Sequence, residues 1–221
     1  MSVNEKVSLP PFIDPDCTAL LVIDMQKGFC HPDSMMAKSG VGTANQRAII
    51  PDVVRLARLC RERQIPILWS QQVHFSNDRA RARRRLPSHW ERQRFGACQR
   101  GTWEVEFMEE IAAEIRPEDF IVEKHRASML FQTTLPAKLR MLGTEILIIS
   151  GVNTDFCIES TVREAYFYDY DIVVVRECVA GPRPAWHEDT LGKIQRFFGE
   201  VVSLQDLPSL FVQKSAPAAV R

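Results

Sequence analysis

Short apolar runs, too short to be anything but buried strands, alternate along this chain with amphipathic stretches of helical period. Few architectures accept that rhythm. Thr18–Ile23 reads as a first strand, followed by a surface helix over Pro51–Arg63. That helix carries Val53, Val54, Leu56, Ala57 and Cys60 on one side, arginines on the other and proline in its first turn. Ile65–Ser70, Phe120–Glu123, Glu145–Ser150, Asp171–Val175 and Glu200–Ser203 read as five more strands. The helices expected between them are an acidic one over Thr102–Ile115, then Thr133–Leu142, Ile158–Tyr170 and about Trp186–Phe198. Six strands alternating with helices predict a Rossmann-like α/β fold: one mostly parallel six-stranded sheet with helices on both faces. Ligands of such sheets sit outside the carboxyl ends of the strands.

No repeat or linker divides the 221 residues, so a single domain over residues 1–221 is expected, with residues 1–16 as an N-terminal arm. The 28 Lys and Arg balance 28 Asp and Glu, which gives no reason to expect nucleic acid or a membrane as partner. No apolar run approaches membrane-spanning length, and Met1–Pro11 lacks the apolar centre of a secretory signal. The six cysteines (17, 30, 60, 98, 157 and 178) are widely spaced and never form C-x-x-C, which suits a reduced, cytoplasmic set. Asn77–Arg100 breaks the alternation: it carries eight arginines with Trp90 and Phe95 among them. It reads as a lid, a subunit contact or a solvated face balanced by nearby glutamates.

Cys157 has the most reactive setting of the six. It follows the strand ending at Ser150 and precedes a helix, where free backbone N–H groups and the helix dipole favour a thiolate. Cys30 and Cys98 lack that setting, and Cys17, Cys60 and Cys178 read as structural. Asp24 emerges from the first strand and Lys124 from the third, so a carboxylate, a cation and a thiol fall at three strand ends.

Three segments carry a resemblance to the isochorismatase-like cysteine hydrolases over roughly residues 18–204. They are Leu21-Val-Ile-Asp24-Met-Gln26 with Phe29, Lys124-His-Arg-Ala-Ser128 with Phe131 and Thr133, and Gly151-Val-Asn-Thr-Asp-Phe-Cys157. The resemblance implies an Asp24–Lys124–Cys157 catalytic triad and a cis peptide between Val152 and Asn153. It also implies an oxyanion hole made by the N–H groups of Asn153 and Cys157. Phe29, Gln72, His74, Arg126 and Phe131 become candidates for substrate contact. Nicotinamidases of the family carry a metal set beginning Asp-x-His, where this chain reads Gln72-Val73-His74 with Ala80 at the place of a second histidine. No metal and no cofactor are therefore expected.

The pattern Lys124-His-Arg126-Ala-Ser128-Met-Leu-Phe131-Gln-Thr133 with Cys157-Ile-Glu-Ser-Thr161 resembles most closely the ureidoacrylate and biuret amidohydrolases. Met129-Leu130 replaces the small-then-aromatic pair of that branch. Glu159, Ser160 and Arg163 read as structural. The expected activity is hydrolysis of a small linear amide or ureide through a thioester, with release of ammonia. Alternatives are a vinyl-ether hydrolase that does not need the cysteine, or a non-catalytic α/β binding protein. The resemblance further implies a homo-oligomer, dimer or tetramer, with Leu204–Val212 as an expected contact.

Overall fold

The strands lie in the order β3-β2-β1-β4-β5-β6 (β1 Thr18–Ile23, β2 Ile67–Gln72, β3 Phe120–Lys124, β4 Ile146–Val152, β5 Asp171–Ala180, β6 Glu200–Val202). All five pairings are parallel in this computed structural model, which describes residues 10–79 and 96–212. Crossovers run outward from β1 in one direction and from β4 in the other, so the switch of direction falls between these two central strands. Asp24 follows the first of them, and Cys157 lies just beyond the second.

Alternation along each strand divides the core in two. Leu20, Val22, Trp69, Ile148 and Val173 face one layer with the helix Ile50–Glu62, whose buried side carries Val53, Leu56, Ala57 and Cys60. Leu21, Ile23, Leu68, Leu147 and Val174 face the other, under the helices Leu135–Met141, Glu159–Phe167 and Pro184–Phe197. Gly151 sits where β4 passes β1 closely: its φ is +110°, and a Cβ there would come within 2.0 Å of the Ile23 carbonyl oxygen. Only glycine fits that position.

The structure corrects two expectations from sequence. β2 begins two residues late, because Pro66 cannot donate to a ladder, and runs on to Gln72, whose N–H is bound by the Gln26 side chain at 2.7 Å. The acidic helix over 102–115 is instead one turn at Trp103–Val105 and another at Glu109–Ala112. Its backbone bonds to the loop after β1: Glu106 O accepts from Lys27 N at 2.8 Å, and Met108 N donates to Met25 O at 3.1 Å. Glu104 turns inward and accepts from the backbone N–H groups of Met35 and Cys98. Leu204, Leu207, Leu210 and Phe211 of the C-terminal stretch are buried in the chain's own core.

Of the expected N-terminal arm, residues 1–9 lie outside the described residues. Ile13 is fully buried and bridges to Phe211. Residues 80–95 of the arginine-rich connection also lie outside them, Ala80 included. All six cysteines are free, and no helix among the described residues is long and apolar enough to cross a membrane.

Candidate active site

Asp24 directly follows β1 with φ +54°, a left-handed conformation that aspartate tolerates better than most residues and that turns the chain sharply out of the sheet. Ser70 on β2 holds it in place. The Ser70 hydroxyl donates to Asp24 Oδ1 at 2.5 Å and accepts the Asp24 backbone N–H at 3.0 Å. Asp24 Oδ2 lies 2.7 Å from Lys124 Nζ, at the end of β3, in an ion pair. Both side chains are essentially sealed from solvent.

Lys124 is the hub. Its ammonium lies 2.7 Å from Gln72 Oε1, 3.1 Å from the carbonyl oxygens of Arg126 and Ala127, and 3.5 Å from Cys157 Sγ. Burial alone would lower its pKa, but the charge of Asp24 and the neighbouring sulfur outweigh burial and hold it above the ordinary value. Lys124 therefore stays cationic. The three side chains expected at three strand ends are thus in mutual contact.

Cys157 lies in a single π-helical turn, Thr154–Ile158, that leads into the helix Glu159–Phe167. Its carbonyl accepts from Thr161 Oγ1 at 2.7 Å, and that hydroxyl accepts the Met129 N–H at 3.0 Å. The nucleophile turn is thereby tied to the loop after β3. Burial pushes the Cys157 thiol up to about 12, Lys124 lowers it, and the negative Asp24 raises it again. Desolvation outweighs the lowering by the single cation nearby.

The Val152–Asn153 peptide is cis, as the resemblance implied. Asn153 and Cys157 both line a cavity of about 430 Å³ at the carboxyl ends of the strands. Phe29, Met36, Val41, Ala97, Phe156 and Pro182 form its apolar walls, and His74, His125, Arg126 and Asp155 its polar rim. A wider, open hollow of about 580 Å³ between Pro11, Arg63 and Phe211 contains none of the triad residues.

The candidate contact residues divide. Phe29, Gln72, His74 and Arg126 line the cavity. Phe131 does not: it is exposed and borders an adjoining hollow with Phe75 and Asp78, which meets the cavity at His125 and Arg126. The Arg126 guanidinium is engaged by Asp78 at 2.8 Å. Gln72 commits its amide to Lys124 and to the His74 ring at 3.2 Å, so it works through the lysine. Met129 and Leu130 are buried beneath the site and do not shape its wall. Arg163 pairs with Glu159 and lies over Phe198, consistent with a structural role. Sequence reasoning missed Ser70, Gln46 and Glu104. Ser70 had one usable signal, its place near the end of a strand beside β1. The other two had none.

The Isochorismatase domain family matches residues 18–206. A ureidoacrylate amidohydrolase of Methylobacterium radiotolerans is 27% identical over 95% of this chain and 85% of its own length. One from Methylorubrum extorquens is 30% identical over 87% of this chain and 82% of its own. Among solved structures, a cysteine hydrolase from Pseudomonas syringae pv. phaseolicola 1448A superposes with a TM-score of 0.76 at 22% identity, over 95% of this chain and all of that one. Matched by sequence over most of its length and by the topology of its sheet, this chain belongs to the isochorismatase-domain family and is a hydrolase.

Proposed function

We propose that this chain is a cysteine amidohydrolase that cleaves a small linear amide or ureide and releases ammonia. The observation that carries the reading is one buried ammonium, Lys124, set between a carboxylate and a thiol at the floor of a cavity. Asp24 Oδ2 takes the thiol proton, and Lys124 stabilises the thiolate as it forms. Cys157 Sγ then bonds to the carbonyl carbon, whose oxygen becomes an oxyanion held by the N–H groups of Asn153 and Cys157. As the C–N bond breaks, Asp24 returns the proton to nitrogen, which leaves as ammonia. A water molecule, deprotonated by the same carboxylate, cleaves the thioester and restores the thiol.

A ureide fits this site for two reasons. Its carbonyl, flanked by two nitrogens, is a poor electrophile and rewards preorganised charge stabilisation. Its several N–H groups need acceptors, which the rim can supply from Asp155 and main-chain carbonyls. The ureidoacrylate amidohydrolases among the relatives support the same class. With Arg126 bound to Asp78 and Gln72 bound to Lys124, direct substrate contact falls to His74, Asn153, Phe29 and the remaining walls.

The test is ammonia release across biuret, ureido acids, N-carbamoyl amino acids, maleamate and nicotinamide. A ureide or carbamoyl compound is expected to exceed nicotinamide in kcat/KM by at least about a hundredfold, roughly 2.7 kcal/mol of transition-state binding. A screen won by nicotinamide overturns the substrate class and leaves the triad standing. Activity is also expected to survive exhaustive dialysis against a chelator. Gln72 replaces the carboxylate of the nicotinamidase metal set, and its amide is already committed to Lys124 and His74. Loss on chelation, restored by zinc or iron, would reverse that conclusion.

A further inference from the structure

Gln46 stands in the short helix Ala44–Ala48, far from the triad in sequence, and is completely buried. Its Nε2 donates to Asn153 Oδ1 at 3.0 Å. The neighbouring Asn45 donates to Gly181 O at 3.3 Å, so this helix ties down the chain beyond both β4 and β5. Gln46 Oε1 has no hydrogen-bond partner among the described residues. A buried amide with half its capacity unmet is costly.

The contact decides which end of Asn153 the cavity meets. Asn153 lines the cavity, and an amide has one accepting and one donating end. With Oδ1 taken by Gln46, the end left for a ligand is the Nδ2 donor. We infer that Gln46 is a positioning residue for oxyanion stabilisation. It fixes the side chain of Asn153 so that Nδ2 adds a donor beside the backbone N–H groups, and it steadies the segment that carries one of them. This deepens the acyl-transfer reading and rests on it. The role is one of orientation, and the energetic consequence appears only when negative charge develops on the substrate oxygen.

The test uses propanal, whose carbonyl accepts the Cys157 sulfur while its oxygen takes the thiol proton by way of Asp24. The resulting thiohemiacetal carries its oxygen where the oxyanion forms. Its formation is read as protection of Cys157 against iodoacetamide, followed by mass spectrometry. Gln46→Met keeps the size of the side chain and removes both polar ends. It is expected to melt within about 2 °C of the parent, because the unmet acceptor goes with the lost donor. Unprotected Cys157 should be alkylated within about twofold of the parent rate, while protection by propanal weakens at least about tenfold. Asn153→Asp keeps the acceptor that Gln46 binds and deletes the donor, and should lose at least as much protection. Parent-like protection in Gln46→Met, or a loss matched by an equal loss of alkylation and melting temperature, overturns the inference. Failure of propanal to protect even the parent would remove the acyl-transfer reading itself, and this one with it.

Discussion

Replacing Cys157 with serine is expected to cut turnover by about a thousandfold or more while leaving the melting temperature and circular dichroism unchanged. The thiol is already held above its ordinary pKa by burial, up to about 12, and in the proposed mechanism it ionises as Asp24 takes its proton. An alcohol is harder still to deprotonate, and its shorter bond draws the oxygen back from a reacting carbonyl. The fold loses little, since Cys157 is secured through its main chain, by the Thr161 hydroxyl on its carbonyl. No other cysteine is placed to substitute. Cys98 is sealed, raised well above the ordinary thiol value first by burial, and its sulfur donates to the Glu104 carbonyl. Cys30 is likewise buried and raised. Ammonia release by purified Cys157→Ser above about a tenth of the parent rate would point to another nucleophile. Full activity in Cys157→Ala would point to vinyl-ether protonation instead.

What the sequence revealed and what it hid follow different physics. The strands were legible because a sheet covered on both faces demands continuous apolar runs, and β1 and β4 are buried at every position. Asp24, Lys124 and Cys157 were legible because each ends or follows a strand of the same parallel sheet, where topology brings them together. The segment 102–115 was misread because glutamates at helical spacing say nothing about a partner loop. Its backbone hydrogen bonds go to Met25 and Lys27, far off in the sequence. The balance of charges on Cys157 was hidden for a related reason: a helix end and a lysine are visible in sequence, whereas the burial that outweighs them is a property of the whole fold. Gln46 and Ser70 reach their partners through side-chain hydrogen bonds between segments distant in sequence, and a pattern of periodicity cannot encode those.

Replacing Lys124 with methionine is expected to cost about 3–5 kcal/mol of stability and to abolish turnover, because it strands Asp24 as a buried carboxylate. The pair is enclosed on all sides, with Nζ 2.7 Å from Oδ2 and neither group reaching solvent. Attraction inside such a site offsets desolvation only while both charges are present. For a chain of this size the loss corresponds to a fall of about 6–20 °C in melting temperature. The lysine contributes in a definite pH window. Its folded-state pKa is raised, so its stabilisation is complete below the unfolded lysine value and disappears as pH climbs through the folded one. The separation of charge from function is read in the double variant Asp24→Asn with Lys124→Met. With both charges gone, Ser70 can still donate to the amide oxygen of the introduced asparagine, and a methionine fills much of the lysine volume. Most of the lost stability should return, while ammonia release should not, since no base remains for the thiol. A Lys124→Met variant that melts within about 2 °C of the parent would show that the pair is far less coupled than its geometry requires. A double variant that regains turnover would remove Asp24 from the proton path.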